Sequence, residues 1–270
     1  MVDSPAFKFI ILGVLTLVLM IPLLLVYLIV DERQSYSRQA VSEVGRKWGR
    51  EQSFAGPYLV IPMERMVEST NRQGVKSSYR EEKFAVLLPE TLNVNSDVTA
   101  KELQRGIFDI PVYNSVVRYA GKFKAADVDQ LRRNRFELRL DEAVLAVQIT
   151  DVRGIKKTTD VLINETAKRF QAGVGVKSPR GRGIHIPMTA SQITDGFSFQ
   201  FELPVNGTRH LQIEPSGGET RMEMKSNWPH PSFMGNFLPT ERSISADGFS
   251  AKWVVPQLAR GFGQLHIVKD

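Results

Sequence analysis

The alternation of hydrophobic and polar positions divides the chain into three stretches. Residues 9–30, from Phe9 to Val30, carry no charged side chain, and Lys8 on one side and Asp31, Glu32 and Arg33 on the other mark the ends sharply. These 22 residues would cover about 33 Å as a helix at about 1.5 Å per residue, close to a hydrocarbon core roughly 30 Å thick. The pattern predicts a transmembrane helix. Pro22 would break a helix in water, but in lipid the alternative is unsatisfied backbone, so a kinked helix is still favoured. A cleaved signal peptide is the competing reading. The run is longer than the roughly 7–15 residues of a signal core, and Tyr27, Leu28, Ile29, Val30 and Asp31 offer no pair of small residues for cleavage. An uncleaved anchor is expected.

Residues 31–49 are polar, with Tyr36, Ala40, Val41, Val44 and Trp48 at spacings of three and four. That is helical amphipathicity, so the membrane helix is expected to continue as a stalk over 31–55, ended by Gly49 and then Gly56-Pro57. Trp48 lies 18 residues past Val30, about 27 Å along a helix, too far for an interfacial residue. It is expected to pack against the domain.

From Tyr58 onward the chain reads as β structure. Residues 58–63, 83–88, 107–119 and 136–149 are rich in β-branched and aromatic residues and bounded by Gly, Pro, Asn and Asp. Phe197, Phe199, Phe201 and Leu203 alternate with Ser198, Gln200 and Glu202, predicting a half-buried strand with one aromatic face. Phe249, Ala251 and Trp253 likewise share one face of a strand, which makes Trp253 a core anchor. Pro215-Ser-Gly-Gly between two apolar runs signals a hairpin or loop. Short helices are expected over 126–133 and 189–194. The fold class is one transmembrane helix with a helical stalk, then a mainly β (β-rich α+β) domain over 56–270, of antiparallel sheets in one or two subdomains.

Composition narrows the chemistry. There are no cysteines, which excludes disulfides, thiolate metal sites and a cysteine nucleophile. The net charge is +6, but basic residues are mixed with acidic ones, as in Arg80-Glu81-Glu82-Lys83. Such mixing describes a solvated face rather than a nucleic-acid surface. It also suits a domain tethered near anionic lipid. Orientation stays open: Lys8 faces Arg33, Arg38, Arg46, Lys47 and Arg50 across the span, which reads as a cytoplasmic domain, yet long domains translocate largely regardless of charge.

No residue set announces catalysis. His185, His210, His230 and His266 lack the helical His and Glu spacing of a zinc protease. Gly196-Phe-Ser and Gly248-Phe-Ser lack the second glycine of a nucleophile elbow. The basic, glycine-rich loop over 173–183 lacks a dinucleotide fingerprint, and Asp127 with Asp129, or Asp141 with Glu142, lack calcium-loop spacing. No catalytic, cofactor or metal residue is expected. Two alternatives remain: a hydrolase using an Asp or Ser in a cleft, and a carbohydrate or peptidoglycan module using exposed Phe197, Phe199, Phe201 or Trp228.

Several segments together resemble the CreD-type inner-membrane proteins of Gram-negative bacteria. They are Ile21-Pro22 with Glu32-Arg33-Gln34; Trp48-Gly49, Gln52 and Gly56-Pro57; Gly106 with Tyr113 and Gly121; Asp151-Val-Arg-Gly154; Trp228-Pro-His-Pro with Pro239 and Arg242; and Gly248-Phe249 with Trp253, Leu258, Arg260 and Gln264. The resemblance covers nearly the whole chain in order. It implies a cytoplasmic N-terminus over 1–8, one anchor helix, a periplasmic β-rich domain and a link to envelope integrity and stress. The partners implied are the lipid bilayer and an envelope protein or cell-wall component. It supplies no catalytic residues; the motif residues read as structural, with Gly56-Pro57, Gly154, Pro239 and Gly248 punctuating strands and Trp228 and Trp253 as core anchors. Family members usually continue into further membrane helices, and the sequence given is expected to stop at that domain boundary.

Overall fold

The computed structural model describes residues 5–70, 76–126, 131, 136–157, 159–175, 181–261 and 263–269. Its first element is a single helix, α1 (Pro5–Trp48), in which Pro22 is accommodated without a break. Anchor and stalk are therefore one helix of 44 residues, about 66 Å long. The side chains of its apolar part lie open, with nothing from the domain covering them. A bare apolar surface of this length is what hydrocarbon stabilises and water does not.

The helix ends where Gly49 adopts φ +134°, with its N–H donating to the Gly45 carbonyl at 3.0 Å. The stalk expected to reach residue 55 is shorter, because strand β1 (Gln52–Thr70) already begins there. Gly56-Pro57 does not end the stalk. It lies within β1, where pairing with the neighbouring strand shifts register between Ala55 and Tyr58. Gly56 at φ +103° accommodates this bulge.

The chain continues through β2 (Lys76–Leu87), β3 (Thr91–Arg105), β4 (Phe108–Phe123), β5 (Glu137–Leu138), β6 (Val144–Ile149), β7 (Asp160–Ile163), β8 (Thr166–Arg169), β9 (Gln171–Ala172) and β10 (Gly183–Pro187). Helix α2 (Ala190–Asp195) follows, then β11 (Phe197–Thr208), β12 (Leu211–Ile213), β13 (Glu219–Ser226), β14 (Glu241–Ser245), β15 (Gly248–Pro256), α3 (Gln257–Arg260) and β16 (Leu265–Lys269). One sheet runs β16-β2-β1-β6-β10-β9, with β5 and β12 also on β1, and the other runs β14-β15-β13-β3-β4-β11-β7-β8. Most pairs are antiparallel; β1 with β12 and β3 with β13 are parallel.

The core joins both sheets in one cluster, from Phe54, Leu59 and Ile61 of β1 to Val94 of β3, Tyr119 of β4 and Phe197, Phe199, Phe201 and Leu203 of β11. Tyr119 and Phe201 stack with ring centroids 4.9 Å apart. The alternation read from residues 197–203 is thus a core face. Pro215 and the two glycines after Ser216 do not close a hairpin, since β12 and β13 belong to different sheets and the segment crosses between them. The run over 136–149 is split by a 3-10 turn at Leu140–Glu142. The helix expected near 189–194 is α2, started by a capping box between Thr189 and Gln192. The helix expected over 126–133 lies largely outside the described residues, as do Asp127, Asp129 and part of the 173–183 loop.

Candidate functional site: the helix and domain junction

The last turns of α1 bury an apolar stripe against the β3–β4 hairpin. Ala40, Val41, Val44 and Trp48 cluster there with Leu103, Phe108, Ile110 and Val112. The Trp48 indole Nε1 donates to the Tyr113 carbonyl at 3.2 Å, and the Lys101 ammonium sits 4.4 Å from its ring centroid. Lower on the helix, Arg105 Nη2 and Nε donate to Glu43 Oε2 at 2.9 and 3.2 Å. The Tyr113 hydroxyl in turn donates to the His210 carbonyl at 2.7 Å, and burial raises its pKa well above the usual phenol range. One helix face, one hairpin and the end of β11 are thereby tied together.

A second set of bonds fixes the chain immediately after the helix. Gln52 is buried, and its Nε2 donates to the carbonyls of Asp151 at 3.0 Å and Asn206 at 3.1 Å. Asp151 Oδ2 accepts from the Arg50 N–H at 3.2 Å. Arg153 grips the same carboxylate with Nε at 2.8 Å and Nη2 at 2.9 Å. Those side-chain bonds from Arg153, and then the backbone N–H groups of Arg50 and Arg153, hold the Asp151 carboxyl below the usual range despite its burial.

The fit leaves no space for larger residues. A Cβ on Gly49 or on Gly154 would come within 2.5 Å of the Asn206 carbonyl oxygen, and one on Gly154 would also strike the Gln52 side chain. Gly154 lies in a 3-10 turn, Val152–Gly154, rather than punctuating a strand. Its role is close approach.

A separate polar cluster, with Arg260 and Ser216 buried and Tyr58 and Glu214 half-buried, lies beside α3. Burial, reinforced by Glu214, pushes the Tyr58 phenol far up, while burial lowers the Arg260 guanidinium. Arg260 Nη1 donates to the Ser216 carbonyl at 3.0 Å, joining α3 to the crossing segment. Two surface clefts lie elsewhere, one on the apolar face of α1 around Ile10, Val14 and Val18, the other between α1 and the hairpin around Lys47, Trp48 and Arg105. Neither contains Asp151, Tyr58 or Arg260. The bonds of Gln52, Asp151 and Arg153 brace the chain where it leaves α1.

The remaining sequence candidates are dispersed. Phe9 and Val30 are exposed ends of the apolar segment. Trp253 is buried, 8 % exposed, with Nε1 donating to the Phe237 carbonyl and Phe233 edge-on at 5.7 Å. Trp228, expected as a core anchor, is instead half-buried in the segment after β13, where its Nε1 donates to the nearby His230 carbonyl. Pro239 precedes β14, and Gly248 opens β15 at φ +132°, where a Cβ would also collide with the Ser226 carbonyl, so glycine is required on both counts. Phe197, Phe199 and Phe201 are all buried, so they offer no sugar platform. Glu142 pairs with Arg139, and His185 Nδ1 lies 2.9 Å from the Gly173 carbonyl. Among the described residues no three His, Asp or Glu side chains gather around a common point.

Sequence reasoning noted Gln52, Asp151 and Gly154 without placing them together, and it missed Asn206. Gln52 and Asn206 are 154 positions apart. Their meeting depends on β11 and β1 reaching the same end of the domain, which no local pattern encodes.

Comparison with known proteins places this architecture. The family model described as Inner membrane protein CreD matches residues 4–269. The curated Inner membrane protein CreD of Escherichia coli (strain K12) is 29% identical over 250 residues, covering 92% of this chain and 54% of that protein. The chain spans about half the length of that relative. No solved structure matches.

Proposed function

The chain belongs to the CreD family of inner membrane proteins, and we propose that it works without catalysis, as a rigid platform in the cell envelope. In this reading α1 crosses the inner membrane from a cytoplasmic N-terminus and the β domain stands in the periplasm, where it binds or scaffolds an envelope protein or cell-wall component. The observation that carries it is the continuity of α1: the apolar span runs without interruption into an end bonded to the domain through Trp48 and, just beyond, Gln52. A helix so fixed holds a domain at a set height, which suits a scaffold better than a loosely tethered enzyme. The side of the membrane and the link to envelope integrity and stress rest on the family resemblance.

The test has two arms on the intact chain. A reporter active only after export, fused beyond β16, is expected to be active; activity of a cytoplasm-only reporter at that place reverses the topology. Crosslinking in native envelopes, followed by purification of the chain, is expected to recover an envelope component joined to the β domain. Recovery of the chain alone, together with turnover of cell-wall fragments by the purified protein, overturns the scaffold reading.

A further inference from the structure

We propose that the tip of the β3–β4 hairpin, with Ile107 at its apex, is a second membrane contact that seats in the headgroup layer of the bilayer crossed by α1. The proposal rests on α1 spanning a membrane and is independent of which side the domain occupies.

The order of contacts along α1 sets the direction of the hairpin. Trp48 bonds to Tyr113, whereas Glu43, five positions nearer the membrane, holds Arg105 close to the tip. Ala40 is buried in the same cluster as Ile110 and Val112. Ascending β4 therefore follows ascending α1, and the turn between β3 and β4 points back toward the membrane.

Height follows from the two repeat lengths. Trp48 lies about 27 Å beyond Val30 along the helix, and the six positions from Tyr113 back to Ile107 return roughly 20 Å along the strand. That leaves the tip roughly 7 Å above the apolar span. Starting instead from Glu43, about 20 Å above Val30, the two positions from Arg105 to Ile107 return roughly 7 Å and leave roughly 13 Å, a span that includes the two long side chains joining the backbones. A headgroup layer is roughly 5–7 Å thick on each side of the hydrocarbon. The backbone-level contact of Trp48 with Tyr113 puts the tip at the outer edge of that layer.

The chemistry of the turn points the same way. Arg105 pairs with Phe108, so Gly106 and Ile107 form a two-residue turn, and Gly106 takes the first position at φ +62°. Only that first position demands glycine. The second is free, and polar residues prevail at such turns in water, yet here it carries an isoleucine that is 78% exposed. Its neighbour Phe108 instead turns into the cluster against α1. The apolar cluster of Ala40, Ile110 and Val112 holds the hairpin against the helix, with the Arg105–Glu43 pair at its edge. Arg33 stands on α1 at the same height, about 5 Å above Val30, where lipid phosphates lie. An apolar apex at that level, where Asp31, Glu32 and Arg33 mark the end of the apolar span, matches the interfacial layer of a lipid surface.

The chain lacks cysteine, so a single introduced thiol reports from one place. Ile107→Cys, in the full chain, would carry a fluorescent probe in nanodiscs holding one protein each, with part of the lipid spin-labelled at the headgroup. Tyr79→Cys serves as the control, because Tyr79 is exposed on the β1–β2 arm that leads away from the end of α1. Matching thermal melts of the two labelled proteins establish that both are folded. The expected result is quenching several-fold stronger at position 107 than at position 79. Equal, water-like signals at the two positions would overturn the proposal.

Discussion

The indole of Trp48 donates to the backbone carbonyl of Tyr113 at 3.2 Å, joining the last turn of a membrane helix to a strand 65 positions later. The bond spans the point at which a tethered domain would ordinarily hinge. With the Gln52 bonds to Asp151 and Asn206 just beyond it, helix and domain become one body.

Replacing Trp48 with alanine should weaken that joint. The ring is half-buried, so the loss should fall at or below the about 3–5 kcal/mol of a fully buried tryptophan. Trp48→Phe, which keeps the ring packing and removes the N–H, should lose less, about 0.5–1.5 kcal/mol. Denaturant midpoints in detergent measure both, and equal midpoints for all three proteins would contradict the role given to this residue.

Gly154→Ala tests the close approach at the junction. The added methyl must displace Gln52 or the Asn206 carbonyl, and overpacking of this kind costs about 1–3 kcal/mol. A thermal melt should show the loss. The same substitution at Gly106, whose Cβ would meet open space but whose φ is +62°, should act only through backbone strain.

Asp151 gives the junction a pH dependence. Its folded-state pKa lies below that of the unfolded chain, so its stabilisation is fully present above about pH 3.9, the ordinary aspartate value, and disappears as pH falls through the lower folded value. Asp151→Asn should therefore be less stable than the parent at pH 7, with the difference shrinking as pH drops below about 4. Urea midpoints at neutral and acid pH measure it. A difference that stays constant with pH would contradict an ionised Asp151.

Trp253→Ala should destabilise the domain by about 3–5 kcal/mol, because the residue is buried and its N–H is bonded to Phe237. An unchanged melting temperature would mean that the cluster around β15 contributes nothing to folding.

Much of this was legible in the sequence wherever a pattern was long and local. Residues 9–30 needed only their length and lack of charge, and Phe197, Phe199, Phe201 and Leu203 needed only period two. Gly56-Pro57 was misleading because glycine and proline usually end an element, whereas a bulge inside β1 uses them equally well. Trp228 was misleading because size suggests burial but does not say where the backbone carries the ring. The junction was invisible as a unit, since Gln52, Asp151 and Asn206 come from three distant segments and meet only when both sheets are assembled.

The most direct measurement is the distance between spin labels on helix and domain, placed at Tyr36→Cys and Leu162→Cys, both exposed positions in a chain without cysteine. With the full chain in a bilayer, pulsed electron paramagnetic resonance should give one narrow distance distribution, unchanged between thin and thick bilayers. A broad distribution, or one that shifts with the lipid, would contradict a helix and domain that move as one body.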